Sequence, residues 1–454
     1  MDSSSDVNFF LDPNFALSLY CKFGKISGIV PKIKLIVEEF RRKSETEESR
    51  PLTLKSNSKS NELRENALSI LRSKDTFALQ RALELYNESL CYAEQGSDEH
   101  LATLYASRAS VYFDLREFEL CVENIKLAEE KGYTEEGRLQ LNKLKIDCLC
   151  LLQKYSNNQE NGGENDAKIQ LNVEPHAEIP FAASCLELKT DPIGGRYITT
   201  NKDIESGSII IVECPFEKVL SSDCIYQRCS NCLERNSLHL IPCRNCTKTM
   251  FCSEKCSLEA FENFHRFECP IIDCLMDVGG QITIRTFLKA VQSFKTISQL
   301  IEFIQSADSS NRTAFSFNHS EALSPQQHYH QIHSLSTNLE IRPESDLFTH
   351  VLVAALFYYQ LNYQSPFKSL VNGECEDILM ELMFRIELIT TINVFSFNDL
   401  SQDDEIVGTG LYQLSSLINH SCSPNACPKY YKSNLILYTT QPVMCGEAIS
   451  ISYQ

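Results

Sequence analysis

The chain has 454 residues, enough for two or three domains with sizeable cores, and its 43% hydrophobic and 22% charged content is ordinary for a globular protein. A net charge of −18 argues against a surface that wraps a nucleic-acid backbone, which needs clustered Lys and Arg, and leaves basic protein partners such as histone tails open. No apolar run reaches the roughly 18–20 residues of a membrane span, and the start, MDSSSDVNFFLDPNF, lacks the basic-then-apolar pattern of a secretory signal.

That absence points to a reducing compartment, cytoplasm and nucleus, where 20 cysteines read as thiols and metal ligands rather than disulfides. Residues 1–60 are an N-terminal segment that closes on a charged, serine-rich run, RRKSETEESRPLTLKSNSKS, expected to be a linker. Residues 61–155 are helical by period: ALQRALELYNESLCYA, LATLYASRASVYFDL and REFELCVENIKLAEEKGY carry apolar residues at helical spacing, with Gly132 as a C-cap. Small residues at Ala106 and Ala109 suit close helix packing. The pattern Ala–Ser–Arg–Ala–x–x–Tyr–x–x–Leu from Ala106 resembles one tetratricopeptide repeat, and the helices on either side would supply flanking partial repeats. The resemblance implies a peptide-binding surface; a small helical packing domain is the plain alternative. Residues 156–182 are polar and contain Gly162 and Gly163, the composition of a second linker. From 183 to 228 the signals turn to β, with LELKT, GGRYITTNKDI and GSIIIVECPF broken by Gly and Pro. Residues 270–390 are again mostly helical, and 391–454 return to β in NLILYTTQPV and EAISISY.

Between these blocks lie Cys229, Cys232, Cys243, Cys246, Cys252, Cys256, His265 and Cys269, eight soft ligands in 41 residues, enough for two tetrahedral zinc sites. A C-x-x-C pitch lets two thiolates reach one ion from a tight turn, and the i, i+4 pairs Cys252/Cys256 and His265/Cys269 are expected on helix faces. So polar a segment cannot build its own core, and metal would supply its folding energy. The spacing, with Phe251-Cys252-Ser253, resembles a MYND zinc finger. That resemblance implies interleaved pairing, with Cys229, Cys232, Cys252 and Cys256 on one zinc and Cys243, Cys246, His265 and Cys269 on the other. It also implies protein partners for the finger.

The polar knot LINHSCSPNA at 417–426, followed by GEAISISY at 446–453, resembles the C-terminal half of a SET domain; GGRYITTNKDIESGSIIIVECPF resembles its N-terminal half. A SET domain split by a MYND finger is the arrangement of the SET-and-MYND protein-lysine methyltransferases, and the helices before it resemble the fourth-member branch with N-terminal tetratricopeptide repeats. The implied fold is α+β: a TPR-like helical region, then a split SET domain with the finger and a helical insert. The implied activity is transfer of a methyl group from S-adenosyl-L-methionine to a lysine amine of a histone or other protein. Gly194, Gly195 and Arg196 match the family's cofactor loop, where missing side chains allow close backbone approach. Asn419 and His420 match the pair holding the cofactor's amino-acid end and adenine side. Asn393 matches a further cofactor contact, Phe395 a wall of the lysine channel, and Tyr329 another cofactor contact. Tyr453 matches the tyrosine beside the methyl-transfer axis, touching both cofactor and lysine.

The residue types suit that chemistry. A lysine amine with a free pKa of about 10.4 is almost wholly protonated near neutrality, and an aromatic channel that excludes water favours its neutral form. The family's third zinc joins Cys422 to three cysteines downstream of the SET domain. The sequence given ends at Gln454, so this comparison sets the expectation of a fragment or short form with weak cofactor binding and slow transfer. The competing expectation is a catalytically impaired, zinc-dependent interaction scaffold built from finger and repeats.

Overall fold

The computed structural model describes residues 12–46, 54–72, 77–156, 169–192, 194–235, 240–370, 375–398 and 406–453. They fall into two compact units, residues 51–167 with 222–262, and residues 1–50 with 168–221 and 263–454.

The larger unit begins with α1 (Pro13–Phe23) and α2 (Ile29–Thr46). Asp12 caps α1, accepting from the N–H groups of Asn14 and Phe15, and Pro13 occupies the first turn, where no N–H is needed. Ile33, Ile36, Val37 and Phe40 recur at helical spacing and are buried. Aromatic contacts tie both helices to a much later one: Tyr20 and Phe23 meet Phe348, Phe40 meets Tyr359, and the Tyr359 hydroxyl donates to Ser44. The N-terminal segment is thus part of a core. Of the run read as a linker, 41–46 and 57–60 are helical, and 47–53 lie outside the described residues. Arg41 pairs with Glu38 and Glu45 along α2, so these charges extend the helix instead of ending it.

The smaller unit holds α3 (Asn57–Arg72), α4 (Ala78–Tyr92), α5 (Asp98–Asp114), α6 (Phe118–Glu130) and α7 (Glu135–Ser156). α3 packs on α4 and α5 on α6, forming two helical hairpins, with α7 against the second. Ala82, Ala106 and Ala109 are buried where helices approach, among Tyr86, Leu104, Tyr112 and Ile125. Gly132 ends α6 in the left-handed region at φ 78°. Its N–H donates to Glu129 O and that of Tyr133 to Ala128 O, the two bonds of a Schellman cap.

Residues 169–182, read as the end of a linker, are instead laid along a strand: Ala182 bridges to Ile211, Val212 N–H donates to Phe181 O, and Asn172 accepts from Ile209 N–H. Residues 157–168 of that linker lie outside the described ones. β1 (Leu186–Asp191) and β2 (Gly195–Thr200) form an antiparallel hairpin, followed by β3 (Ile209–Glu213) and β4 (Glu217–Leu220). The short strands β5 (Ile241–Pro242) and β6 (Met250–Phe251) pair within the cysteine-rich segment. The helical insert runs through α8 (Gln281–Gln292), α9 (Ile297–Ala307), α10 (Pro325–His333), α11 (Glu344–Gln364) and α12 (Glu376–Asn393). α11 is apolar nearly all round and its residues from Val351 to Leu361 are largely buried, as expected of a core helix.

β7 (Val394–Asn398) leaves α12 directly and joins β8 (Ile406–Leu411) and β4 in an antiparallel sheet. β10 (Ala426–Tyr431), β11 (Asn434–Thr439) and β3 form a second. The last pair is parallel: β9 (Asn419–His420) with β12 (Ser450–Ile451). Strands from before and after the helical insert therefore share two sheets, within an α+β fold.

Candidate active site and metal centre

Two groups of ligand atoms gather in the cysteine-rich segment: Cys229, Cys232, Cys252 and Cys256 in one, Cys243, Cys246, His265 and Cys269 in the other, with all atoms of a group within 4.8 Å of each other. Four thiolates about 2.3 Å from a zinc ion have S···S edges of about 3.8 Å. The measured edges fit: Cys232 and Cys252 sulfurs lie 3.7 Å apart, and those of Cys252 and Cys256 3.5 Å apart. Cys229 is held towards its thiolate form by the Cys232 thiol and by N–H donors of Cys232, Cys252 and Asn231, against the effect of burial. The donor set suits zinc in both groups.

Cys252 corrects one detail of the sequence reading. It precedes the helix Glu254–Ala260 instead of sitting on its face; Ser253 caps that helix, accepting from Cys256 N–H, and this folds Cys252 back over Cys256. The other pair lies on a helical run: residues Phe261–His265 form a π-helical turn that continues through Arg266–Glu268 to Cys269. Such widened turns re-aim side chains at functional positions.

The second cluster is built from distant residues. Gly194 N–H donates to Asp191 Oδ1 at 2.6 Å, and Gly195, at φ 74°, closes the β1–β2 turn in a conformation that favours glycine. A Cβ on Gly195 would point into space with no described atom within 4 Å, which leaves the backbone open to a ligand. Arg196 donates to Ser334 O at 2.7 Å. Asn393, the last residue of α12, donates to Ser336 O at 2.9 Å, so both residues grip one short segment. Ser416 in turn donates to Asn393 O at 3.0 Å, linking this grip to the turn before Asn419.

Residues 448–453 run between two partners. On one side Ala448 bridges to Thr199 and Ile449 N–H donates to Ile198 O at 2.8 Å; on the other Ser450 and Ile451 pair with Asn419 and His420. Asn425 fastens the crossing, donating to Ala448 O at 2.8 Å and accepting from Ser450 N–H at 2.9 Å. Tyr453 is held at both ends: its N–H donates to His420 Nδ1 at 3.1 Å and its hydroxyl to Ile418 O at 2.7 Å. The bond to Nδ1 places the His420 proton on Nε2, 3.4 Å from Cys422 Sγ. Burial raises the Tyr453 phenol above its usual value, so it stays protonated. Asn419 and His420 are both exposed, available to a ligand. Phe395, half-buried on β7, meets Tyr412 edge-on at 5.6 Å.

Tyr329 lies elsewhere. It is wholly buried in the helical insert among Phe294, Phe303 and His333, with its hydroxyl 3.2 Å from His333 Nδ1. A residue with no accessible surface cannot touch a cofactor, which corrects its assignment as a cofactor contact. The segment five to seven residues later, Ser334–Ser336, is the one Arg196 and Asn393 reach, and Arg385 fixes its start by donating to His333 O at 3.0 Å. Glu213 was also missed: fully buried at the end of β3, it accepts from Leu414 N–H, Ser415 N–H and Ser415 Oγ at 2.6–2.9 Å and so shapes the turn that leads to Asn419. An acidic residue ending an apolar strand, in IIIVE, is the one local signal that marked it.

A family model of the SET domain matches residues 195–454. The chain is 25% identical over 488 residues to the protein-lysine N-methyltransferase SMYD4 of Gallus gallus, covering 82% of this chain and 65% of that protein. It is 22% identical over 491 residues to SMYD4 of Homo sapiens, covering 82% and 61%. The histone-lysine N-methyltransferase ASHR1 of Arabidopsis thaliana is 23% identical over 275 residues, 59% of this chain and 49% of that protein. The chain thus spans 61–65% of the length of these SMYD4 relatives.

Proposed function

This chain belongs to the SET domain family, and from that premise we propose that it is a SET-and-MYND protein-lysine methyltransferase using S-adenosyl-L-methionine. The observation that carries the reading is the clasp of residues 448–453 between β2 and the Asn419–Asn425 segment, which sets Tyr453 and His420 side by side, ring centres 5.2 Å apart. S-adenosyl-L-methionine supplies an electrophilic methyl group. The open backbone at Gly195, with exposed Asn419 and His420, would hold its amino-acid and adenine ends; Asn393 acts one step back by fixing the Ser336 backbone. Phe395 and Tyr412 would wall the lysine channel and keep water from the amine.

The Tyr453 hydroxyl donates a hydrogen bond to Ile418 O, which leaves the oxygen's lone pairs to accept from the lysine amine and align it for in-line attack. A phenol that stays protonated orients; it does not act as general base. The lysine therefore loses its proton before transfer. The finger, loaded with two zinc ions, presents a surface to protein partners, in the cytoplasm and the nucleus.

Calorimetry with S-adenosyl-L-methionine, followed by radiolabel transfer to lysine-containing basic peptides, tests this. Binding with transfer that is lost in the lysine-free peptides is the expected result. Binding without any transfer would favour the impaired scaffold, and no binding at millimolar cofactor would overturn the reading.

A further inference from the structure

The smaller unit contains a polar face that the proposed chemistry does not use. Arg108, in α5, is 1% exposed, yet among the described residues no carboxylate pairs with it. Its Nε donates to Asn124 Oδ1 at 2.8 Å, and its Nη1 to Asn87 Oδ1 at 2.9 Å and to Leu240 O at 3.0 Å. Asn87 and Asn124 come from α4 and α6, so one guanidinium gathers both hairpins and a carbonyl of the cysteine-rich segment. Two more carbonyls of that segment, and one just before it, are taken by the same helical array. Asn87 Nδ2 donates to Tyr226 O at 2.8 Å, Gln95 Nε2 to Arg244 O at 2.7 Å, and the Cys91 thiol approaches Thr249 O at 3.9 Å. Leu240 and Thr249 bracket the turn that carries Cys243 and Cys246, and Arg244 lies within it; β5 and β6 close it.

We propose that this face of the helical hairpins is an intramolecular clamp for the Cys243–Cys246 turn, so that hairpins and finger form one zinc-dependent unit. A charge buried without a counter-ion is stable only while its acceptors stay in place. If the turn leaves, Arg108 loses the Leu240 carbonyl and its site opens to water. If the metal leaves, the turn loses the closure that presents Leu240. The occupant of the polar face that the repeat pattern suggests for a peptide is therefore the chain's own finger. This conclusion does not depend on methyl transfer.

Hydrogen exchange of the full chain before and after zinc removal by chelator, read over residues 98–130, tests the clamp. Zinc removal should speed exchange there by about tenfold or more, the loss expected for a hydrogen bond to a charged group. Zinc release to a colorimetric chelator should be about tenfold faster in Arg108→Leu and about threefold faster in Gln95→Ala, whose contact lies at the exposed rim. If Arg108→Leu does not fold, Gln95→Ala and the exchange measurement still decide. Exchange over 98–130 that is indifferent to zinc, or release unchanged in Gln95→Ala, would overturn the clamp.

Discussion

In the finger, ligands that share a zinc come in pairs three or four residues apart, Cys229 with Cys232 and Cys243 with Cys246 among them; in the C-terminal cluster, the groups that meet come from residues as far apart as Thr199 and Ala448. The first arrangement is set by what a tight turn can reach, and the missing stability is left to a metal. The second is set by backbone pairing, with residues 448–453 held by β2 on one flank and by 419–425 on the other. The difference lies in how each fails. A metal knuckle loses its function with one ligand, whereas a strand clasp with several fasteners weakens by steps. It also bears on Tyr453: although exposed at its body, it is tethered through both its N–H and its hydroxyl.

The largest effect should come from the finger. Cys243→Ser is expected to lower zinc content from two ions to one, leaving the Cys229 group loaded; elemental analysis finding both ions lost would show that the two groups are not independent. The clasp should weaken next. Asn425→Ala removes the partners of Ala448 O and Ser450 N–H and, since the first bond is exposed and the second part-buried, should cost roughly 1–2 kcal/mol in urea unfolding. A midpoint within error of wild type would mean that β9 and β12 do not need this fastener. Asn419→Ala, which keeps the backbone pairing with Ser450, should leave unfolding alone and weaken S-adenosyl-L-methionine by roughly 1–3 kcal/mol in calorimetry. Equal affinity would remove Asn419 from the cofactor site.

The smallest effects concern protons. Tyr453→Phe should cut turnover while leaving cofactor affinity nearly intact, because the hydroxyl acts on the transferring groups. Since burial raises the Tyr453 pKa, the folded state favours the neutral phenol; that preference is complete below the ordinary value near 10 and is lost only as pH rises through the raised one. Turnover should therefore climb with pH as the lysine loses its proton, with no fall from Tyr453 up to about pH 10. A descending limb below pH 9 that vanishes in Tyr453→Phe would contradict a merely orienting role.

By itself the sequence determined the features whose cause is local. The eight zinc ligands lie in one 41-residue stretch of regularly spaced pairs, while their grouping into quartets came from the family resemblance; the Gly132 cap needs only a residue that tolerates positive φ, and the polar Asn-His-Ser-Cys knot could be placed beside a strand from composition alone. Tertiary structure decided where helices with equal claims to burial go. It put Tyr329 inside the insert, and drew α1 and α2, read as an N-terminal segment closing on a linker, onto a helix some three hundred residues later. It also decided which distant groups meet buried charges: Glu213 with the Leu414–Ser415 turn, Arg108 with Leu240. The physical reason is the same throughout. A turn or a cap is fixed by the dihedral angles of a few neighbouring residues, whereas a contact across the chain depends on strand register and helix packing, and no short stretch of sequence carries their signature.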